Sequence, residues 1–173
     1  MLSIAPSSVT NLLKNTGIDI KRKVFKEIYD NLGGNLRVIV SAAAPIDAKV
    51  GKWVQDIGIS FLQGYGLTET APVVAVGLTN CRKLGSIGKK FPSIDVKIFE
   101  PDEEGVGELL VKGPSVMLGY YNNEEATKEV YHDGLYHTGD TAWRDEDGYF
   151  WYVSRIDDVI KSSGYRIGPF EIE

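Results

Sequence analysis

Apolar positions along the first third of the chain change their period twice. In residues 18–32, IDIKRKVFKEIYDNL, Val24, Phe25, Ile28 and Leu32 fall at i, i+1, i+4 and i+8. That spacing predicts a helix with one buried face and a basic front end, stopped by Gly33-Gly34. Residues 36–40, LRVIV, are nearly all apolar and read as a buried strand. The strand runs into Ser41-Ala42-Ala43-Ala44-Pro45, a loop of very small residues. Asp47 is placed to cap a helix over 48–58, with Val50, Val54 and Ile57 facing inward. Residues 59–62, ISFL, form a second short strand leading into Gln63-Gly64-Tyr65-Gly66. Strand–helix–strand order predicts parallel pairing in an α/β layer.

Beyond about residue 79 the apolar runs shorten and are separated by Gly, Pro and Asp. They fall at 95–99, 108–112, 135–137 and 149–153. Such spacing predicts an antiparallel sheet or barrel-like unit. One helical interruption is expected at 123–130, with Asn122 or Asn123 as its cap. A polar joint at Arg155-Ile156-Asp157-Asp158 marks a boundary where one unit stops and another starts.

Composition narrows the function classes. The 173 residues carry 19 Lys and Arg against 24 Asp and Glu, a net charge of −5. That balance argues against a broad electrostatic grip on nucleic acid or anionic lipid. A 43% hydrophobic and 25% charged chain is ordinary globular material, not a disordered one. The single cysteine, Cys81, allows neither an internal disulfide framework nor a CxxC metal cage. No stretch approaches the ~18 consecutive apolar residues of a transmembrane helix. The chain is therefore read as a soluble protein with no transmembrane segment, expected in the cytoplasm. Nineteen glycines exceed the usual ~7%, so many backbone positions are expected to turn or to approach a neighbour closely.

Several short patterns do not support the chemistry they suggest. Gly64-Tyr65-Gly66-Leu67-Thr68-Glu69 begins like a dinucleotide fingerprint but lacks its third glycine. Gly85-Ser86-Ile87-Gly88-Lys89-Lys90 has Lys90 where a phosphate loop needs Ser or Thr, and reads as a tight turn. His132 and His137 are five apart and not on one helix, which argues against a zinc pair.

Four segments remain that composition does not explain. VSAAAPID (40–47) ends a strand in a loop nearly devoid of side chains, suited either to a flat ligand or to close helix–strand packing. QGYGLTET (63–70) flanks Tyr65 with two glycines, freeing its backbone for an unusual turn and its ring for stacking. Thr68 and Glu69 set a hydroxyl beside a carboxylate, as a phosphate with its magnesium requires. LYHTGD (135–140) places Asp140 beyond a glycine turn, able to accept from both ribose hydroxyls or to form an Asx turn. SRIDDVIKSSGYRIGPFEIE (154–173) holds the polar joint, a Ser-Ser-Gly turn and Arg166.

Together these motifs resemble the AMP-forming acyl-CoA synthetases of the adenylate-forming, or AMP-binding, enzyme family. YGLTET, GELLVKG (107–113), YHTGD and RIDDVIKSSGYRIGPFEIE occur in family order at plausible spacing. The resemblance implies adenylation of a small carboxylic acid by ATP with Mg²⁺, then transfer of the acyl group to coenzyme A. It implies that Tyr65, between Gly64 and Gly66, stacks on adenine, with Ala43, Ala44 and Pro45 covering the base. It assigns Thr68 to phosphate, Glu69 to the metal, and Asp140 and Arg155 to the ribose. Asp157 falls at the family's hinge, Ser163 and Gly164 at the loop near the pantetheine arm, and Arg166 at a phosphate contact.

The implied fold class is α/β: part of a mostly parallel α/β layer, then an antiparallel β-barrel-like subdomain and the start of a small C-terminal domain. The implied boundaries are 1–78 for the large-domain sandwich, 79–156 for the barrel and 157–173 for the hinge and small domain. The family's upstream phosphate loop and downstream lysine are absent from these 173 residues. The chain is thus expected to be a piece of a longer ligase, needing the N- and C-terminal parts of the same enzyme and inactive alone. Ala42 and Ser154 stand where many members have glycine. Alternatives are a non-catalytic adenine-nucleotide module and part of an amino-acid adenylation domain. The acyl chain length stays open.

Overall fold

The structure is a computed structural model describing residues 20–44, 46–77, 83–156, 160–162 and 165–167. Helices α1 (Ile20–Val24) and α2 (Lys26–Asn31) are separated at Phe25, whose φ of −102° and ψ of 27° leave the helical region. The break resets the helical phase. Phe25 and Ile28 pack inward as expected, but Tyr29 is the buried residue, while Val24 and Leu32 are exposed.

Strand β1 (Val38–Ser41) leads through the small-residue loop to α3 (Ala48–Asp56) and then β2 (Ser60–Gly66). Asp47 caps α3, its carboxylate accepting from the Lys49 N–H at 2.8 Å. Val54 and Ile57 are buried, but Val50 is exposed. Gly51 takes the inward place, because a Cβ there would lie 2.8 Å from the Phe61 ring. β1 and β2 pair in parallel, from Val38 opposite Ser60 to Ser41 opposite Gln63. Tyr29, Val54, Ile57, Ile59 and Phe61 form the core between the helices and this pair.

β2 runs on past the expected 59–62 because an unanticipated strand, β3 (Val73–Val76), pairs antiparallel with its second half. The short β4 (Lys89–Lys90) pairs antiparallel with β3 and completes a mixed sheet in the order β1-β2-β3-β4.

The second sheet is antiparallel throughout. It contains β5 (Asp95–Phe99), β6 (Gly107–Lys112), β7 (Tyr131–His132), β8 (Leu135–Arg144) and β9 (Phe150–Arg155). β8 is its axis: β6 lies along one edge, and β7 and β9 share the other. Helix α4 (Glu124–Val130) precedes β7, capped by Asn123, whose Oδ1 accepts from the Ala126 N–H at 3.0 Å. A backbone bridge between Gly88 and Phe150 ties the two sheets together. Buried Leu67, Val74, Ile94, Val111 and Tyr136 fill one core beneath them, and Ile87, Leu109, Ala142 and Phe150 fill another. Strands β10 (Ile160–Ser162) and β11 (Tyr165–Ile167) form an antiparallel pair. No described helix is long and apolar enough to cross a membrane.

Candidate functional site

Burial alternates strictly along most of β8, putting Tyr136, Thr138, Asp140 and Ala142 on the inward face. Asp140 is therefore inside the strand, not beyond its end as the glycine suggested. Gly139 does adopt a left-handed φ of +67°, but within a bulge rather than a chain reversal. β9 then carries the pairing onward, with Asp140 directly opposite Arg155.

Asp140 is only 2% exposed. Its Oδ2 accepts a 2.6 Å hydrogen bond from the Tyr65 hydroxyl. Its Oδ1 is buried and has no hydrogen-bond partner among the described residues, with the Arg155 guanidinium 3.6 Å away. Burial and the adjacent Asp140 charge push the Tyr65 hydroxyl far above its ordinary range, so it stays a neutral donor. The Tyr65 ring packs at the edge of both cores of the second unit and lies tilted against Tyr152, with centroids 6.4 Å apart.

The glycines beside Tyr65 do not make an unusual turn. Both lie in β2, and neither has a positive φ. Gly66 is required for close approach, because a Cβ on it would fall 1.5 Å from the Pro72 carbonyl oxygen. The chain then turns through a 3₁₀ segment, Thr68–Thr70. Thr68 is exposed and Glu69 is half-buried. Sequence reasoning passed over Thr70, which is fully buried. Its hydroxyl accepts from the Leu67 N–H at 3.0 Å and lies 2.9 Å from the Leu67 and Pro72 carbonyls, either of which its proton can reach.

Glu69 is gripped from the far side of the fold. The Tyr120 hydroxyl donates to its Oε1 at 3.0 Å, and its carbonyl accepts from the Met117 N–H at 2.7 Å. Thr127 of α4 holds Tyr120 in turn, its hydroxyl accepting from the Tyr120 N–H at 2.9 Å. Burial, then the bond to Glu69, raises the Tyr120 hydroxyl above its ordinary range. Burial first and the Glu69 charge second do the same for Tyr136. A cleft of about 450 Å³ is lined by Glu69, Tyr120, Tyr136, Gly139 and Arg155, with Glu108 on its wall. Glu108 had no sequence signal beyond its GELLVKG motif, and Tyr120 had none. Both act through contacts at long chain separation.

Ala43 and Ala44 follow the carboxyl end of β1, whose last residue pairs with Gln63, two residues before Tyr65. Both are exposed, and Ala43 adopts a left-handed φ of +71°. Arg166 sits on β11 opposite Lys161. Pro45, Asp157, Ser163 and Gly164 lie outside the described residues. The structure thus brings Tyr65, Asp140 and Arg155 together, and sets Glu69 and Arg155 on one cleft.

This arrangement coincides with a family match. The model of the AMP-binding enzyme family matches residues 1–121. The chain belongs to the AMP-binding enzyme family. Feruloyl-CoA synthase of Amycolatopsis sp. is 42% identical over 146 residues, covering 80% of this chain and 30% of that protein. A long-chain-fatty-acid–CoA ligase of Mycobacterium bovis is 38% identical over 153 residues, covering 88% of this chain and 25% of the ligase. The chain thus spans under a third of the length of these curated relatives. Among solved structures, the o-succinylbenzoate coenzyme A synthetase of Bacillus subtilis, in complex with ATP and magnesium ion, superposes with a TM-score of 0.64. It is 31% identical and covers 86% of this chain and 34% of that one. The mixed α/β layer and antiparallel sheet described above are thus shared with this solved AMP-binding relative.

Proposed function

We propose that this chain supplies the nucleotide-binding portion of an ATP-dependent, AMP-forming acyl-CoA ligase. In that reaction a carboxylate oxygen attacks the α-phosphorus of ATP, pyrophosphate leaves, and an acyl adenylate forms. The sulfur of coenzyme A then attacks the acyl carbon, and AMP leaves. The attacking groups all belong to substrates, so the protein's work is positioning and charge compensation.

The observation that carries the reading is Asp140. A buried carboxylate oxygen without a hydrogen-bond partner is costly. A ribose hydroxyl would satisfy it, and Arg155 beside it would hold the sugar from the β9 side. Tyr65 is the proposed adenine residue, and its hydroxyl is fastened to Asp140. One 2.6 Å bond therefore sets the spacing between the base and sugar contacts. Ala43, Ala44 and Pro45 are assigned to the base, Thr68 and Arg166 to phosphate, and Ser163 and Gly164 to the pantetheine arm, with Asp157 at the hinge.

Glu69 suits magnesium. Tyr120 takes one carboxylate oxygen, which leaves the other for a hard cation. No cluster of three or more His, Cys, Asp or Glu stands ready among the described residues. Magnesium commonly binds in this way, to one or two carboxylates plus substrate phosphates. When bound, it would offset phosphate charge during adenylation.

Calorimetric titration of the chain with AMP tests the reading. Saturable binding that Asp140→Ala abolishes is expected. Binding that Asp140→Ala leaves unchanged would overturn it.

A further inference from the structure

We propose that Glu108 is a positioning residue for the ribose pair Asp140 and Arg155; the assignment rests on the ribose reading given above. β6 and β8 change register where Glu108 and Asp140 sit. Gly107 and Glu108 pair with Ala142 and Thr141, whereas Leu110 and Val111 pair with His137 and Tyr136. Leu109 alone therefore lies opposite Thr138, Gly139 and Asp140, so β8 bulges where the site sits.

A bulge removes strand partners from backbone amides, and amides shut away from water need replacements. Side chains supply them here. The Thr138 hydroxyl accepts from the Asp140 N–H at 3.1 Å and donates to the Leu109 carbonyl at 2.9 Å. The Gly139 N–H donates to Glu108 Oε1 at 3.0 Å. The other Glu108 oxygen lies 2.8 Å from His137 Nδ1, so the carboxylate spans the bulge from one side to its middle. An acceptor at that distance fixes the proton on Nδ1 and leaves Nε2 for the other side of the ring.

Gly139 is the link to the ribose pair. It adopts a left-handed φ of +67° immediately before the buried Asp140. Its carbonyl accepts from the Ile156 N–H at 2.8 Å, which fastens the chain just after Arg155. A Cβ on Gly139 would stand 3.0 Å from Arg155 Nη2, so the guanidinium lies against this turn. Releasing Glu108 frees the one side-chain bond to the Gly139 N–H and lets both ribose residues shift together.

Stability alone does not account for Glu108. Its side chain is 15% exposed, and among the described residues no lysine or arginine pairs with it. A largely buried carboxylate served by a histidine and one amide gains little net stability. It does set geometry, and it needs to be an acceptor rather than a charge. Glu108→Gln keeps an oxygen for Gly139 and an amide that a retautomerised His137 can accept.

The test uses the 173-residue chain with Glu108→Ala, Glu108→Gln and His137→Ala. Hydrogen exchange at the Gly139 amide is read without nucleotide, and affinities are read for AMP and for 2′,3′-dideoxy-AMP. Glu108→Ala is expected to speed Gly139 exchange and to cut the preference for AMP by about tenfold, as loss of an aligned hydrogen bond to a charged group does. Glu108→Gln should restore both, and His137→Ala should give a smaller loss of the same kind. The last variant leaves Glu108 in place and carries the test if Glu108→Ala does not fold. An unaltered chain that fails to prefer AMP would remove the ribose reading and this assignment with it. A preference present in the unaltered chain and undiminished in Glu108→Ala or His137→Ala would remove the Glu108 assignment alone.

Discussion

Replacing Gly66 with alanine probes the backbone contact on which Tyr65 depends. The added Cβ would lie 1.5 Å from the Pro72 oxygen and 2.6 Å from the Pro72 carbonyl carbon. Carbon–oxygen contacts settle at about 3.3 Å or more, so the two segments must part by roughly 2 Å. That movement breaks the pairing of Gly66 with Val73 and strains the Thr70 bond to the Pro72 carbonyl. It also draws the adjacent Tyr65 hydroxyl off Asp140. Overpacking of this kind costs about 1–3 kcal/mol, and a lost hydrogen bond to a charged group about 1.5–3 kcal/mol. The expected loss is therefore about 3–5 kcal/mol, a large share of the ~5–15 kcal/mol that holds a domain together. Gly64 is the internal control. A Cβ there meets the Ala75 oxygen at 3.4 Å, an ordinary contact, and alanine in a strand costs less entropy than glycine. Gly64→Ala should stay within about 1 kcal/mol of the unaltered chain. Urea unfolding followed by tryptophan fluorescence compares the three proteins. A small loss for Gly66→Ala, or equal losses for both glycines, would show that close approach to Pro72 is not what requires Gly66.

Two further outcomes follow from buried polar groups. Thr70→Val leaves the Leu67 amide without its acceptor and should cost about 2 kcal/mol in the same unfolding experiment, whereas Thr68→Val on the exposed neighbour should cost almost nothing. Burial opposes the charge on Asp145, but bonds from Lys83, the Tyr149 amide and Trp151 outweigh it and hold the carboxyl below its ordinary 3.8. A depressed carboxyl contributes stability that is whole above the ordinary carboxylate range and is lost as pH falls below it. Bonds to Asp145 and then Asp147 raise Lys83, whose contribution is whole below the ordinary lysine range and fades only as pH rises through its higher folded value. The stability gap between the unaltered chain and Asp145→Asn should therefore be level from about pH 6 to 8 and close below about pH 4. Urea midpoints across that range measure it, and a gap that widens toward acid would contradict the assignment.

Periodic features were legible before the structure, and phase-dependent ones were not. The parallel pair around α3, the Asp47 and Asn123 caps and the antiparallel second unit all follow from local pattern. The helix face at 24–32 was misread because a break at Phe25 moves the buried side to Tyr29, and nothing in the residue order announces it. β3 was missed because Val73–Val76 is a short apolar run, which is ambiguous until β2 provides an edge. Among candidate site residues, Tyr65, Glu69 and Asp140 stood out by residue type and spacing, whereas Arg155 entered through the family resemblance. Thr70, Glu108 and Tyr120 did not stand out, since their partners lie across a tight turn, a sheet or a cleft, and their own chemistry is ordinary.

The bulge in β8 reconciles two demands that a regular strand would set against each other. For the ribose role proposed for Asp140, burial strengthens the carboxylate's bonds through low dielectric, yet one of its oxygens must stay available. Strand alternation supplies the burial, carrying Asp140 inward with Tyr136, Thr138 and Ala142. Pairing supplies the positive charge, setting Arg155 across from it on β9. Had β6 kept its register, its backbone would have run regularly past all of Thr138, Gly139 and Asp140. The two-residue excess in β8 replaces those ladder bonds with oxygens from Thr138 and Glu108, and Tyr65 caps just one side of the carboxylate. Asp140 Oδ1 remains a buried acceptor without a hydrogen bond among the described residues, 3.6 Å from a guanidinium, and the register of three strands has put it there.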